Sequence, residues 1–383
     1  MADSLLRTRD GHHARVGFVE LFFDLVFVFA VTQISHSLLH HLTWFGALQA
    51  AMMTAAVWWA WIYTSWVTNW TDPERAPVRL ALFVLMGLGL LMSTSLPEAF
   101  TAKGLWFAVA FVAGSLFRSG FMLWAARANA MLSRNFQRII IWQMLSGTAW
   151  IAGGLADGEV RVGLWLVALF IEYIAPAMFY RVPGLGRANT AEWTVEGGHM
   201  AERVGLFVII CLGESLLITG ATFADSPWTV WVVLAAAVAF VSTLAMWWLY
   251  FSEAHDAASD VISHAENAGA IARRAYTYSP VIVVAGIILT AVGDELALAH
   301  PMGHADLPVV AAILGGPLLF LLGTAVGKFA VWGRWDAPRL IGCLVLLALI
   351  PVGPVLSPLV LSLAATAVLV GLAIRETVRF GST

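Results

Sequence analysis

Apolar runs of about 20 residues recur along the whole chain, separated by short polar segments or by glycine and proline. A helical run of ~20 apolar residues is long enough to cross the hydrocarbon core of a bilayer. The pattern therefore predicts twelve transmembrane helices, with a re-entrant hairpin as an alternative for the last two, where prolines crowd the junction. The predicted spans are 18–40, 46–70, 78–97, 103–125, 137–155, 160–180, 202–222, 227–251, 276–297, 307–329, 339–353 and 355–375.

Composition narrows the class of protein further. The 383 residues are 60% hydrophobic and only 12% charged, which is too few charges for a soluble domain of this length. The expected fold class is an all-α polytopic membrane protein. Its two cysteines lie in apolar runs and do not form a disulfide framework. No zinc-type spacing of cysteine and histidine is present, and nothing in the sequence suggests nucleic-acid binding.

The distribution of basic residues predicts the orientation. If both termini lie on one side, eighteen of the 21 lysines and arginines share that side, among them Arg203 and Arg339. Lys103 and Arg161 fall on the opposite side, and Arg118 lies within a span. Such a bias marks the cytoplasmic side, so we expect both termini to be cytoplasmic in the bacterial inner membrane.

A weak internal repeat suggests two halves. The segment RVGFVELFFDLVFV enters span 1, and ERVGLFVIICLGES enters span 7 with the same orientation. Two parallel six-helix repeats would be related by an axis along the membrane normal. The predicted division is a cytoplasmic tail (1–17), a first half (18–180), a linker (181–201), a second half (202–375) and a second tail (376–383).

The strongest candidate for chemistry is a set of ionisable and other polar residues inside the spans. Glu20 and Asp24 lie four residues apart, on one face of the first helix, and that face continues through Thr32 to His36. Charged groups within a span cost about 2.5–3.5 kcal/mol each even on lenient scales, so they are usually functional or paired. The other members of the set, each in a different span, are Arg118, Gln143, Glu172 and Glu214.

These acids outnumber the single arginine that shares the spans. Asp24 and Glu214 are the predicted proton or cation carriers, with Glu20 and Glu172 as relays. Arg118 is predicted as their counter-ion or as a handle for an anionic substrate group, and an ordinary ion pair with Asp24 or Glu172 is the alternative. The remaining substrate contacts are predicted at Gln143, Trp59 and His36. The leading hypothesis is a proton- or cation-linked transporter.

A second acidic group supports a different hypothesis. Asn69 and Asp72 end span 2, and Glu253 and Asp256 end span 8. Carboxylate oxygens and waters are the ligands that Mg²⁺ prefers, so these four residues are a candidate metal site. Such a site would suit a membrane-embedded prenyltransferase or terpene cyclase acting on an isoprenoid diphosphate or a lipid phosphate. No doubled DDxxD pattern is present. A structural or sensory protein without turnover is a third alternative.

Several long motifs carry a family resemblance. They are VELFFDLVFVFAV, WWAWIYTSWVTNWTD, LPEAF, ERVGLFVIICLGES and GIILTAVGDELALAHP. Together they resemble the bacterial low temperature requirement A family of integral membrane proteins. The resemblance implies a multi-pass membrane protein and leaves its chemistry open. One departure is that Ser279 and Pro280 stand where the family often has a histidine-containing stretch. Membrane lipids and a small molecule or ion are the expected partners, and the oligomeric state is left open.

Overall fold

The computed structural model describes residues 5–7, 15–189, 195–251 and 268–380. Within these ranges the chain forms helices joined by short turns and loops. No β-strand occurs within these ranges. The all-α polytopic class predicted from the sequence is confirmed, and every predicted span has a corresponding helix. Six helices precede residue 180: α1 (Phe18–His40), α2 (Trp44–Trp70), α3 (Ala76–Ser95), α4 (Gly104–Ala125), α5 (Ala130–Leu155) and α6 (Gly158–Ala177).

The second set of helices begins at Gly197, inside the predicted linker. It comprises α7 (Gly197–Asp225), α8 (Val230–Tyr250), α9 (Ala268–Ala272), α10 (Ser279–Ala299), α11 (Leu307–Trp332), α12 (Ala337–Leu349) and α13 (Pro358–Phe380). A π-helical segment, Arg273–Tyr278, joins α9 to α10 without a break. A 3₁₀ segment, Ile350–Val355, extends α12 to a 19-residue span that ends just before α13.

Among the described residues, eleven helices are long and apolar enough to cross a membrane. Helix α5 has the length, at 26 residues, but it is not one of the eleven. The reason is its polar first half, which contains Arg134, Asn135 and Arg138. A membrane-spanning role for α5 therefore stays a prediction.

The chain divides into two compact units. Unit 1 comprises Met1–Ile34, Leu48–Arg203 and Ala265–Ala270, and unit 2 comprises Ser35–Ala47, Val204–His264 and Ile271–Thr383. Helices α1 and α7 each contribute to both units, because the divisions fall within them. The predicted six-helix halves and their repeat stay a prediction.

Unit 1 is centred on aromatic side chains. Trp58, Trp59 and Trp61 of α2 are each no more than 1% exposed. A second group of rings, from Phe107 and Phe111 of α4 to Trp150 of α5, packs with centroids 4.7–6.5 Å apart. Large aromatic groups bury much apolar area and still offer N–H donors, so polar groups can be accommodated between them.

Unit 2 is packed through small residues instead. Where α10 meets α11, a side chain on Gly316 would have its Cβ 2.5 Å from the backbone nitrogen of Thr290. A Cβ on Gly286 would lie 2.5 Å from the backbone nitrogen of Phe320. Only glycine permits backbones to approach this closely, which is the usual way in which membrane helices gain packing contacts.

Candidate functional site

Helix α2 positions the polar groups of unit 1. Trp61, Ser65 and Asn69 recur every four residues and therefore share one face of the helix. Trp59 and Tyr63 share another face. Each face meets its own set of ionisable residues, so unit 1 contains two separate polar clusters. We call them the ion-pair cluster, formed by Arg7, Glu20, Asp24, Trp61, Ser65, Asn69, His199 and Arg203, and the Glu172 cluster, formed by Trp59, Ser146 and Glu172.

The centre of the ion-pair cluster is the salt bridge between Asp24 and Arg203, both 0% exposed. Arg203 Nη2 lies 2.9 Å from Asp24 Oδ1 and also donates to Ser65 Oγ at 3.3 Å. The same Oδ1 accepts a hydrogen bond of 2.7 Å from Trp61 Nε1. The Arg203 guanidinium also lies 5.5 Å from the centre of the Trp61 ring, within range of a cation–π contact.

This salt bridge is incomplete on both sides. Asp24 Oδ2, Arg203 Nε and Arg203 Nη1 are all buried without a hydrogen-bond partner among the described residues. Arginine and carboxylate usually pair through two parallel hydrogen bonds when they are buried. Here one oxygen and one nitrogen carry all the contacts, which leaves an acceptor and several N–H donors unsatisfied.

Glu20 forms the second half of the cluster and is also fully buried. Its Oε1 lies 3.0 Å from His199 Nε2, and its Oε2 accepts from Arg7 Nη2 at 3.4 Å and from the Gly17 backbone at 2.9 Å. Asn69 Nδ2 lies 3.3 Å from His199 Nδ1. If Asn69 donates to Nδ1, the proton of a neutral His199 ring is on Nε2 and is donated to Glu20.

The ends of α2 and α7 are tied together at this cluster. Asn69 donates through Nδ2 to the Glu196 carbonyl at 2.9 Å, and its Oδ1 accepts from the Glu196 N–H at 3.1 Å. The Glu196 carboxylate in turn accepts from the backbone of His199 at 2.6 Å, which satisfies a free donor in the first turn of α7. These contacts fix the position of His199, and the same first turns of α7 carry Arg203.

The Glu172 cluster contains an acid without a charged partner. Glu172 Oε2 accepts from Trp59 Nε1 at 2.8 Å, and Oε1 lies 2.6 Å from Ser146 Oγ. Among the described residues, no basic side chain is within ion-pair distance of Glu172. A hydroxyl can accept as well as donate, and Ser146 Oγ also lies 3.2 Å from the Gln143 carbonyl. The arrangement therefore suits a protonated Glu172 that donates to Ser146.

The ion pair considered for Arg118 is not formed. Arg118 donates instead to the Ala60 carbonyl at 2.9 Å and to Thr64 Oγ1 at 3.3 Å, and it lies 5.1 Å from the centre of the Tyr63 ring. Within the described ranges, the basic group at ion-pair distance from Asp24 is Arg203, and the roles predicted for Arg118 stay predictions. Arg203 reaches Asp24 because α7 begins early enough to bring this residue into the interior of unit 1.

The remaining predicted residues fall in different places. Gln143 is 3% exposed, and its side-chain oxygen has no partner within the described ranges. Glu214 belongs to unit 2, where it is 8% exposed. His36 also belongs to unit 2, but it is exposed, so the polar face of α1 stays buried only at its start. The roles predicted for Gln143 and Glu214 stay predictions.

The predicted metal ligands are only partly described. The Asn69 side chain is used in the contacts to Glu196 and His199, whereas Asp72 is 36% exposed and lies 3.6 Å from Arg75. Glu253 and Asp256 lie outside the described residues. Within the described ranges, no three histidine, cysteine or acidic side chains are grouped as metal ligands. Magnesium binding by these four residues stays a prediction.

Unit 2 has a buried ionic network of its own. Arg339, 1% exposed, donates through Nη1 to Asp336 Oδ2 and to Glu376 Oε1, both at 2.6 Å. Its Nε donates to Thr324 at 3.1 Å and its Nη2 to the Leu249 carbonyl at 2.8 Å. Lys328 pairs with the same two carboxylates at 2.8 and 2.9 Å. Lys328 and Arg339 also line a cavity of about 90 Å³ in this unit.

Sequence reasoning missed the basic residues of both networks. Arg203 and Arg339 lie at the cytoplasmic ends of the predicted spans 202–222 and 339–353, and no pattern in the sequence pairs either residue with a buried acid. Two of the four predicted acids, Glu20 and Asp24, therefore have basic partners, and the predicted surplus of negative charge is smaller than expected.

The helices and the buried ion pairs together define a multi-pass helical membrane protein with ionisable groups in its interior. A family model described as "Bacterial low temperature requirement A protein (LtrA)" matches residues 15–374. The chain belongs to this family, as the sequence motifs predicted. It is 43% identical over 323 residues to "Uncharacterized protein RA0937" of Rhizobium meliloti (strain 1021), which covers 83% of this chain and 78% of the relative. No solved structure matches the chain significantly.

Proposed function

We propose that this protein is a proton-linked transporter in which Asp24 binds the coupling proton. The bacterial inner membrane is the proposed location, with both termini in the cytoplasm. Arg203 is the counter-ion of Asp24, and Glu20 and His199 form the path by which the proton arrives. Glu172 is a neutral acid that holds α2, α5 and α6 together or relays a proton within unit 1. Glu214 is a second candidate carrier in unit 2.

The incomplete salt bridge is the observation that carries this proposal. Ionisable groups in the interior of membrane proteins mark proton and ion pathways, and they face a partner rather than lipid. Asp24 has such a partner but keeps one oxygen unsatisfied in a fully buried position. That oxygen can accept a proton without any existing hydrogen bond being broken. A purely structural ion pair would be expected to satisfy both of its carboxylate oxygens.

The proposed step is a charge exchange. A proton on Asp24 Oδ2 neutralises the carboxylate and weakens its attraction for Arg203. The Oδ1 atom still accepts from Trp61, so the side chain keeps its position. Arg203 is then a buried cation without a compensating charge, a state that favours a rearrangement or the arrival of a substrate. The Glu20–His199 contact of 3.0 Å is short enough for a doubly protonated His199 ring to pass a proton from Nε2 to Glu20, which lies one helical turn before Asp24 on α1.

Reconstitution tests the proposal. Proteoliposomes containing a trapped pH dye would receive separate additions of acetate, phosphate, choline, neutral amino acids and Mg²⁺ under a clamped membrane potential. We expect at least one class to change the internal pH through the wild-type protein but not through Asp24→Asn. Asp336→Asn, which alters an acid of the unit 2 network, is the matched control and should keep the signal. If no class moves protons, or if Asp24→Asn moves them as fast as wild type, the proposal is wrong.

A further inference from the structure

The unsatisfied atoms of Arg203 indicate what the site binds. Nε carries one hydrogen and Nη1 carries two, and none of the three has an acceptor in the part of the chain that the structure describes. The guanidinium is 0% exposed and lies against the Trp61 ring. An arginine in such surroundings normally uses most of its donors, as Arg339 does in unit 2. Arg203 therefore retains donors for a group that accepts hydrogen bonds.

The charges around Asp24 indicate the sign of that group. The ionisable neighbours are Arg203 and His199 on α7, Glu20 on α1 and Arg7 before it, whereas α2 contributes only the uncharged Trp61 and Ser65. Asp24 is paired with Arg203, and Glu20 is paired with Arg7. When Asp24 takes a proton, Arg203 is left as a cation without its carboxylate. A single bound negative charge restores neutrality, and Arg203 is the cation that has free donors.

We propose that the substrate of this site is a small monovalent organic anion of the carboxylate type, which binds Arg203 together with a proton on Asp24. The carboxylate oxygens accept from Arg203 Nε and Nη1, and the Trp61 ring offers an apolar wall for the organic part. The only bond formed is the O–H bond of Asp24 Oδ2, whose proton comes from solution. The anion itself is unchanged and enters as the counter-charge of Arg203. This inference rests on the proposed proton-linked function and adds the substrate class.

Reciprocal coupling follows from this arrangement. If the anion binds only when Asp24 is protonated, the anion raises the affinity for the proton by the same factor as the proton raises the affinity for the anion. Above the pH at which Asp24 loses its proton, the half-saturating anion concentration should rise roughly tenfold per pH unit. Asp24→Asn mimics the protonated acid and should bind the anion at every pH.

The test is proton uptake by the purified full-length protein in detergent, in weakly buffered solution with a pH dye. Sodium acetate should remove about one proton from solution per anion bound between roughly pH 6 and 8, where acetate itself stays ionised. Sodium chloride and choline chloride control for ionic strength. Sodium phosphate tests whether a divalent anion binds in place of the monovalent one. In Asp24→Asn, acetate should bind without proton uptake.

Two arginine variants complete the experiment. Arg203→Lys keeps the charge but loses the planar donors, so the half-saturating acetate concentration should rise at least tenfold. Arg339→Lys changes an arginine whose donors are all in use and should leave acetate binding unchanged. The wild-type measurement needs no variant, so it decides the question even if a variant fails to fold.

The outcomes separate this inference from the proposed function. If acetate binding is accompanied by no proton uptake while another substrate class still changes the internal pH of the proteoliposomes in an Asp24-dependent way, proton-linked transport stands and the anionic substrate is wrong. If the protein takes up protons when phosphate is added but not when acetate is added, the proposed carboxylate substrate class is wrong. If Asp24→Asn retains the full pH dependence of acetate binding, Asp24 is not the linked group, and the inference and the proposed function both fail.

Discussion

Two buried arginines, one in each unit, have similar exposure but different surroundings. Arg203 in unit 1 makes its polar contacts through a single nitrogen, to Asp24 and Ser65. Arg339 in unit 2 uses all three nitrogens and meets two carboxylates, a hydroxyl and a carbonyl. Burial alone does not distinguish the two residues. The number of unsatisfied donors does, because a buried N–H group without an acceptor favours the binding of a water, an anion or another hydrogen-bond acceptor.

This difference indicates which buried carboxylate can take up a proton without losing a hydrogen bond. The unit 2 network has two cations and two carboxylates that share hydrogen bonds, so loss of the buried Arg339 leaves both carboxylates to Lys328 alone. In the Asp24–Arg203 pair, Asp24 Oδ2 has no hydrogen-bond partner among the described residues, so a proton on this oxygen would not displace an existing hydrogen bond. The Arg339 network thus has the properties of a fixed structural feature, whereas the Asp24–Arg203 pair is the site of the proposed protonation.

The largest effect is expected from Arg339→Leu. Removing one member of a buried ion pair typically costs about 3–5 kcal/mol, because the remaining charges lose their partner. We expect a loss of that size in the free energy of unfolding, measured by denaturant titration in detergent micelles. Arg79→Leu is the control, since Arg79 pairs with Glu74 at the surface and should change stability by less than about 1 kcal/mol. Equal losses in the two variants would contradict the structural role of Arg339.

Arg203→Leu should have a smaller effect that depends on pH. The variant leaves Asp24 as a buried carboxylate without a cation, at a cost of roughly 3 kcal/mol if it stays ionised. A proton removes that charge, so the stability deficit should grow as pH rises and shrink as pH falls. The free energy of unfolding at about pH 5 and pH 8, each relative to wild type, measures the trend. A deficit that is the same at both values would show that Asp24 does not take up a proton in this range.

Gly316→Ala tests the close packing of α10 and α11 in unit 2. The new Cβ would lie 2.5 Å from Thr290 N and 2.7 Å from Thr290 Cα, so the helices must move apart. Overpacking of this kind costs about 1–3 kcal/mol and should appear as a lower midpoint of thermal unfolding. Gly371→Ala on α13 is the control, since its Cβ would meet nothing within 4 Å. That variant should match or exceed wild-type stability, because alanine is the better helix former.

The smallest effect concerns Asp336, which precedes α12. Partial burial acts to raise the pKa of this carboxyl, but its hydrogen bond to Lys328 and the charge of Arg339 outweigh burial and hold the pKa below the usual 3.8. A lowered pKa stabilises the folded state above about pH 4, and this stabilisation is lost as pH falls through the folded-state value. The free-energy difference between wild type and Asp336→Asn should therefore be about 1 kcal/mol or less at neutral pH and vanish in acid. A difference that persists below pH 3 would contradict this prediction.

The sequence was sufficient to predict the class, the family and the helices. Apolar runs must satisfy their backbone hydrogen bonds internally when they cross a membrane, so their length and composition predict helices directly. The buried acids on α1 were also predictable, because Glu20 and Asp24 lie in the middle of apolar sequence with helical spacing. Trp59 was named as a site residue, and the structure places it on Glu172.

Only the tertiary structure decided which charges are partners. Arg118 is the arginine that lies farthest from the ends of its predicted span, yet it bonds to backbone and hydroxyl groups, while Arg203, 179 residues from Asp24, neutralises that acid. Hydropathy is a local property and predicts where helices run. Pairing depends on which helix faces meet and on where α7 begins, and these follow from packing across distant parts of the chain. The unsatisfied hydrogen-bonding atoms of Asp24 and Arg203 likewise follow from three-dimensional geometry, because no spacing in the sequence shows which atoms lack a partner.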